Sequence, residues 1–193
     1  MKKKLTLLDA AVFSREGERA AACLGSQALW RDHAVILAFL SMNGEIDTGP
    51  LFFKAETDGK SVFVPRIEGE RLSFYRYIPP GGPRTALRQG DFGIWEPEPE
   101  TPLAPGDFPA LVITPGLAFD RRGRRLGRGR GFYDRFFAGL DAGCLGPPGR
   151  AHSYTAVGLC VEAQLVPEVP AEDHDKTMDL VLAGNSLFWK KPL

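Results

Sequence analysis

Apolar residues along the chain alternate between helical spacing and strand-length runs. Between positions 20 and 29 they recur at intervals of three, four and seven to eight, which predicts an amphipathic helix over residues 15–32 with Ser14 as its N-cap. Residues 34–40 are continuously apolar, as expected for a strand covered on both faces. A second helix is predicted from Asp47 and Thr48 to Gly59, followed by a buried strand over 61–65.

Strand, helix and strand at this spacing form a βαβ unit, which requires a parallel sheet. Residues 71–77 alternate as an edge strand does, and eight of the sixteen prolines lie between 79 and 109, which predicts an ordered but irregular excursion. The core pattern resumes with strands at 110–114, 154–160 and 178–182 and a helix at 132–140. We therefore predict an α/β fold: a single three-layer domain over residues 1–193, with a mainly parallel, Rossmann-like central sheet.

Three unusual segments fall at predicted strand ends, at 41–47, 65–66 and 114–134. Ligands of open parallel sheets bind outside the carboxyl ends of the strands, because loops and helix N-termini converge there. One cleft is therefore expected to contain all three segments.

Overall charge is balanced, with 24 Lys and Arg against 24 Asp and Glu in 193 residues, which excludes a uniformly basic binder. No apolar run is long enough to span a membrane, and Asp9 interrupts the apolar stretch after the N-terminal lysines, so we expect neither a signal peptide nor a membrane partner. The three cysteines have no Cys-x-x-Cys spacing, which predicts neither disulfides nor a zinc site. A cytoplasmic location fits these features best.

The strongest candidate for chemistry is the segment 115–135. From Asp120 to Arg135, seven arginines face two aspartates, so a local charge of +5 is balanced by −5 elsewhere. Gly127, Gly129 and Gly131 allow positive φ and close approach of the backbone to an anion, and a helix starts directly afterwards. This pattern favours polyphosphate binding. A nucleic-acid contact or a merely basic, solvated loop stays open on these features alone, and no Walker A motif is present.

The sequence resembles the 5-formyltetrahydrofolate cyclo-ligase (methenyltetrahydrofolate synthetase) family. The resemblance is carried by the run PGLAFDRRGRRLGRGRGFYD at 115–134, accompanied in order by FLSM and EIDT at 39–48, VPR at 64–66, GIWEP at 93–97 and HD at 174–175. It spans nearly the whole chain and implies a fold of the cyclo-ligase type.

This resemblance implies an enzyme that uses ATP as co-substrate and Mg²⁺ as cofactor to convert 5-formyltetrahydrofolate to 5,10-methenyltetrahydrofolate, with release of ADP and phosphate. The positions it carries over as ATP-binding are Lys2, Arg125, Leu126, Gly127, Arg128, Gly129, Arg130, Gly131, Phe132 and Tyr133. Those carried over as substrate-binding are Leu40, Glu45, Arg128, Gly129, Arg130, Gly131 and Phe132. Asp134 and Asp175 are carried over as magnesium ligands.

The implied chemistry suits these residue types. A formamide oxygen is a poor leaving group until it is phosphorylated; the substrate's N10 then attacks the activated carbon, the ring closes and phosphate departs. Phosphoryl transfer requires positioning and charge neutralisation, which arginines, backbone N–H groups and a carboxylate-held Mg²⁺ supply. Arg128 and Arg130 are the expected catalytic contacts to the transition state.

Several of these residues also have ordinary structural interpretations. Asp134 also suits a helix start, and Asp175 a turn or a pair with Lys176. Trp95 suits either stacking on a flat ligand or filling the core, while His174 has no nucleophile beside it and is interpreted as structural.

Two positions depart from the family pattern. Thr6 stands where a second basic residue is expected, which weakens the assignment of Lys2, and Phe132 replaces a tyrosine, which removes a hydroxyl but keeps an aromatic face. The competing hypothesis is a non-catalytic folate- or nucleotide-binding protein, or an RNA-binding module. Nothing in the sequence indicates an oligomer, and a monomer is expected.

Overall fold

The computed structural model describes residues 1–78, 86–90, 93–144, 152–172 and 175–189, without the side chain of Lys2. The helices in these ranges are α1 (Lys2–Leu5), α2 (Ala10–Gly25), α3 (Ala28–Asp32), α4 (Gly49–Thr57) and α5 (Phe132–Asp141). The strands there are β1 (Val35–Ala38), β2 (Ser61–Glu68), β3 (Arg71–Tyr77), β4 (Leu87–Gln89), β5 (Trp95–Pro97), β6 (Ala110–Thr114), β7 (Ala118–Phe119), β8 (Arg125–Leu126), β9 (Tyr154–Cys160), β10 (Leu180–Ala183) and β11 (Ser186–Trp189).

One seven-stranded sheet organises the molecule, in the order β11-β10-β9-β6-β1-β2-β3. The five inner strands are parallel, and the edge strands β3 and β11 are antiparallel to their neighbours. Continuous apolar runs account for the inner strands: all residues of β1, β6 and β10 are buried, as a sheet covered on both faces requires.

Helices cover both faces of this sheet. Along β1, Ile36 and Ala38 belong to the core shared with α2, α3 and α4, whereas Val35 and Leu37 belong to the core under α5. This alternation is the period of two that places successive side chains on opposite faces. The predicted three-layer α/β fold with a mainly parallel sheet is confirmed, and β3 is the edge strand predicted at 71–77.

The helix predicted over 15–32 is wrong in two respects. Its first turn lies earlier, because the carboxylate of Asp9, not Ser14, caps it by accepting the Ala11 N–H at 2.9 Å. It is also interrupted, since Ser26 ends α2 and its Oγ donates to the Cys23 carbonyl at 2.7 Å. Side-chain bonds of serine to the last helical carbonyls compete with continuation of the helix.

Residues 65–66 do not follow β2 but lie inside it. Pro65 pairs with Phe74 of β3. The strand continues to Glu68, although its pairing with β1 ends at Phe63, opposite Leu37. Proline has no N–H to donate to a neighbouring strand. It is tolerated there because its nitrogen faces away from β3, toward the side on which β1 has already ended. This overhang of β2 forms one wall of the site described below.

The stretch predicted as irregular at 79–109 contains regular structure in its described part. There, strands β4 and β5 form a separate antiparallel hairpin. Outside this stretch, β7 and β8 form a second hairpin within the Arg/Gly-rich segment.

Among the described residues, no helix is both long and apolar enough to cross a membrane.

Candidate active site

A cleft of about 830 Å³ opens at the carboxyl ends of β1 and β6. It is lined by Phe39, Leu40, Met42, Glu45, Pro65, Ile67, Leu72, Ile94, Glu96, Pro115, Gly116, all residues from Arg125 to Arg135, Pro170, Ala171, Glu172 and Asp175. The three segments expected to meet at one cleft do meet here. Arg66 is the exception, because its Nη1 donates to the Pro97 carbonyl at 2.8 Å and it does not line the cleft.

The β7–β8 hairpin, which leads into the site, is held by hydrogen bonds to the carboxylate of Asp120. This carboxylate is fully buried; Oδ1 accepts the backbone N–H groups of Arg122 and Arg124 at 2.8 and 3.1 Å, and Oδ2 accepts the Val169 N–H at 3.1 Å. Three charge-assisted bonds fix the turn between β7 and β8. Gly123 completes the turn at φ +85°, packed directly against the Met178 carbonyl.

After β8 the chain turns through glycines into α5. Gly129 and Gly131 have φ of +86° and +64°, the left-handed region that favours glycine, and Gly131 is the N-cap of α5. Gly127 does not adopt the positive φ that a glycine allows; it lies close to the guanidinium of Arg125. Gly131 offers no side-chain cap and the first turn of α5 lines the cleft, so the free N–H groups and the positive dipole end of this helix lie at the cleft.

Arg125 is the buried cation of the site. Its side chain is 6% exposed, Nη2 donates to Asp134 Oδ1 at 2.7 Å, and its guanidinium lies 5.7 Å from the ring centre of Tyr133. Asp134 is in the first turn of α5, where a carboxylate is also stabilised by the helix dipole. The pair therefore places a nearly buried cation in the lining of the cleft.

Arg128 reaches across the cleft to Glu45, in the loop that follows β1. Its Nη2 donates to Glu45 Oε1 at 2.7 Å, and Glu45 Oε2 accepts the Met42 N–H at 3.1 Å. Glu45 is buried, whereas about half of the Arg128 side chain is exposed. The loop that follows β1 and the Arg/Gly loop are therefore linked by a charge-assisted bond across the ligand space.

Tyr133 presents a buried hydroxyl that has no hydrogen-bond partner in the described structure. Burial, reinforced by the negative charge of Glu45 and opposed by Arg125, raises the pKa of Tyr133 far above its ordinary value. A buried polar atom without a partner is uncommon in folded proteins and is frequent at ligand sites.

Comparison with known proteins identifies the family of the chain. The model of the 5-formyltetrahydrofolate cyclo-ligase family matches residues 1–184. The chain belongs to this family.

Individual members of the cyclo-ligase family resemble the chain over most of its length. A 5-formyltetrahydrofolate cyclo-ligase from Saccharomyces cerevisiae is 28% identical over 206 aligned positions, covering 98% of this chain and 94% of the relative. One from Haemophilus influenzae is 33% identical and covers 77% and 75%. The NMR structure of Aquifex aeolicus 5,10-methenyltetrahydrofolate synthetase has a TM-score of 0.76 at 26% identity, covering 98% and 89%. The resemblance seen in the sequence is confirmed, and with it the expectation of an enzyme.

The residues that the cyclo-ligase resemblance carried over are brought together almost completely. Every one of them lines the cleft except Lys2, whose side chain lies outside the described part of the structure. His174 also lies outside it. The pairing of Asp175 with Lys176 is wrong, since Lys176 binds Asp141 at 3.1 Å, whereas the turn interpretation holds: Asp175 Oδ2 accepts the Glu172 N–H at 2.8 Å.

The seven arginines of the segment divide into two groups. Arg125, Arg128, Arg130 and Arg135 line the cleft. The other three do not: Arg124 is bound to Glu168 at 2.9 Å, Arg121 lies 5.0 Å from the ring of Phe188, and Arg122 is exposed. Only part of the charge of +5 therefore lies at the ligand space, where Glu45 is one of its negative counterparts across the cleft.

Sequence reasoning missed several residues of the cleft. Arg135 binds the Glu70 carbonyl through Nε and Nη2 at 3.1 and 2.8 Å and lies over Phe132, which it holds in place. Glu96 is a buried carboxylate in the cleft wall. Trp95 does not fill the core: it is 53% exposed and lines a second, smaller hollow of about 410 Å³ beside Leu40.

Proposed function

We propose that this enzyme converts 5-formyltetrahydrofolate to 5,10-methenyltetrahydrofolate at the expense of ATP, releasing ADP and phosphate. The observation that carries the proposal is the single cleft in which the Arg/Gly turn and the open N-terminus of α5 lie opposite the loop after β1. The first wall suits a polyphosphate, and the second presents a carboxylate and apolar side chains to an organic substrate. We further propose that the enzyme is a cytoplasmic monomer without nucleic-acid or membrane partners.

The phosphates of ATP would lie against the turn 127–131. Arg125 is buried and fixed by Asp134, so it offers a pre-positioned cation, and the N–H groups that begin α5 add partial positive charge. Arg128 and Arg130 extend from the turn and would neutralise the charge that spreads over the transferred phosphoryl group.

Mg²⁺ would be bound in this cleft jointly by protein carboxylates and by the phosphate oxygens of the nucleotide. Asp134 and Asp175 both line it, and no group of three or more His, Cys, Asp or Glu that could hold a metal occurs among the described residues. Two carboxylates with phosphate oxygens and waters are a usual set for this ion. When bound, it would neutralise phosphate charge and hold the phosphates in line with the acceptor.

The reaction then proceeds in two bond exchanges. The formyl oxygen attacks the γ-phosphorus, a new P–O bond forms, and the bond to ADP breaks. N10 attacks the activated carbon and loses its proton to solvent; the C–O bond breaks, phosphate departs, and the five-membered ring of the methenyl product is closed. Arg128 and Arg130 act in the first exchange by holding the phosphoryl oxygens.

Arg128 would have two alternative partners, Glu45 and a bound phosphate. In the structure described here the guanidinium is held by the carboxylate at 2.7 Å. A bound phosphate would compete for that guanidinium and would release Glu45 toward the folate. Binding of one substrate would thereby prepare the site for the other.

The direct test mixes purified protein with 5-formyltetrahydrofolate, ATP and Mg²⁺ and follows the ultraviolet band of the methenyl product. We expect the band to grow with one ADP released per product, and to be absent when ATP is omitted. Folded protein that yields no band with ATP present would contradict the proposal. An RNA-binding module would instead bind arbitrary oligonucleotides with an affinity that falls steeply as salt is raised.

A further inference from the structure

Glu96 is a cleft carboxylate that forms no ion pair with any residue the structure describes. It is one of the residues that line the cleft, yet it is only 4% exposed. Glu45 and Asp134, by contrast, are each bound to an arginine at 2.7 Å. A carboxylate has about four acceptor positions, and burial without donors is costly in free energy. Glu96 therefore has acceptor capacity that a ligand can use.

The backbone around Glu96 fixes its carboxylate. Because β2 extends past the end of β1, the N–H of Ile67 has no strand partner on that side and donates to Glu96 Oε1 at 3.0 Å. One residue earlier, Arg66 donates to the Pro97 carbonyl at 2.8 Å and ties β5 to the same overhang. The carboxylate is thus held by one bond that involves only part of its acceptor capacity.

Gly90 shows how closely the chain packs on this group. A Cβ atom at position 90 would lie 2.3 Å from Glu96 Oε2, so only glycine lets the β4–β5 hairpin lie against the carboxylate. Pro65, Ile67, Leu72 and Ile94 form an apolar wall around it in the cleft. An anionic acceptor in an apolar wall selects a flat group with apolar faces and a donor edge.

We propose that Glu96 recognises the donor edge of the substrate's heterocycle, where the ring N–H and the 2-amino group of a 2-amino-4-oxopyrimidine stand side by side. Two parallel N–H donors match a carboxylate as a guanidinium does. The inference rests on the proposed function, because it takes 5-formyltetrahydrofolate as the substrate. Glu96 is a specificity-determining residue and takes no part in phosphoryl transfer.

Glu96→Gln tests the idea, since it keeps the shape and the acceptor for Ile67 but replaces one carboxylate oxygen with an N–H donor. We expect KM for 5-formyltetrahydrofolate to rise about 10- to 100-fold, with kcat changed by less than about twofold and KM for ATP unaltered. The wild type should bind an analogue lacking the 2-amino group at least about tenfold more weakly, whereas the variant should discriminate little between the two.

Two further variants make the test specific. Glu98→Gln removes the same charge two residues along, outside the cleft, and should leave both KM values unchanged. Gly90→Ala retains Glu96 but displaces its carboxylate, and should reproduce the rise in folate KM.

Calorimetric titration of 5-formyltetrahydrofolate without ATP separates this inference from the proposed function. Weaker binding by Glu96→Gln and by Gly90→Ala, with equal loss of discrimination for the analogue, supports the inference even if turnover is absent. Binding and discrimination unchanged in Glu96→Gln would overturn it, even if the wild type makes the methenyl product.

Discussion

The guanidinium of Arg128 bridges the cleft to Glu45, with Nη2 2.7 Å from Oε1, and so links two loops that are 83 positions apart in sequence. Glu45 is buried and also accepts the Met42 N–H, whereas Arg128 is about half exposed. The interaction orders the ligand space more than it stabilises the fold, because an exposed partner is screened by water.

Arg128→Ala should therefore separate activity from stability. We expect the rate of methenyl formation to fall about 100- to 1000-fold, the usual effect of removing one donor to a transition-state charge. The free energy of unfolding, measured with urea, should change by less than about 1 kcal/mol. Arg122→Ala, an exposed arginine outside the cleft, is the matched control and should retain full activity. Equal loss in both variants would contradict the role of Arg128.

Asp134→Asn distinguishes the ligase from an RNA-binding module. It removes a proposed magnesium ligand and the partner of buried Arg125, so we expect a large loss of turnover, weaker Mg²⁺–ATP binding by calorimetry and a lower stability by about 3 kcal/mol. A module that uses the arginines for RNA would bind oligonucleotides equally well or better after loss of this negative charge. Retained turnover in a folded variant would contradict the assignment of Asp134.

The turn at Gly123 should tolerate no side chain. Its φ is +85°, and a Cβ would lie 2.3 Å from the Met178 carbonyl oxygen, so Gly123→Ala combines strain with a backbone clash and should cost about 3 kcal/mol or more. Gly69 has φ +63° but open space around it, so Gly69→Ala should cost only about 1 to 2 kcal/mol. Urea denaturation of both variants measures the difference. Similar losses would show that the contact with Met178 does not constrain the turn.

The raised pKa of Tyr133 leads us to predict that the stability of the fold declines at high pH. Because the folded state raises its pKa above the ordinary value of 10.0, the fold keeps the phenol protonated while the unfolded chain loses the proton. The stabilisation is complete below pH 10 and is lost above it, at about 1.4 kcal/mol per pH unit. Tyr133→Phe should lessen this slope and, because the hydroxyl has no partner in the described structure, should leave stability at pH 7 equal or higher. An unchanged slope would contradict the burial of this hydroxyl.

The elements that could be predicted from the sequence are those determined by local pattern. The apolar runs of β1 and β2, with the helix α4 between them, have the spacing of a βαβ unit, which requires a parallel sheet. The Arg/Gly segment likewise contains its positive charge and the start of a helix within a few positions. What failed depends on contacts that the apolar pattern does not show. The strand predicted to end at Pro65 continues to Glu68 because it stays paired with β3, and α2 ends at Ser26, whose side chain binds the Cys23 carbonyl.

Glu96 illustrates the same limit within the site. Its position in a GIWEP motif was visible, but nothing local indicates that its carboxylate meets the Ile67 N–H of another strand or packs under Gly90. Likewise, the seven arginines are equivalent in sequence, and only the fold separates those that line the cleft from Arg121, Arg122 and Arg124, which lie outside it.

The fate of the formyl oxygen tests the central claim most directly. With 5-formyltetrahydrofolate labelled with ¹⁸O in the formyl group, the reaction proposed here transfers that oxygen to phosphorus and releases it as phosphate. Mass spectrometry of the products should find one ¹⁸O atom in each phosphate and none in ADP. Unlabelled phosphate, with the label recovered in water, would contradict activation of the formyl oxygen by phosphoryl transfer.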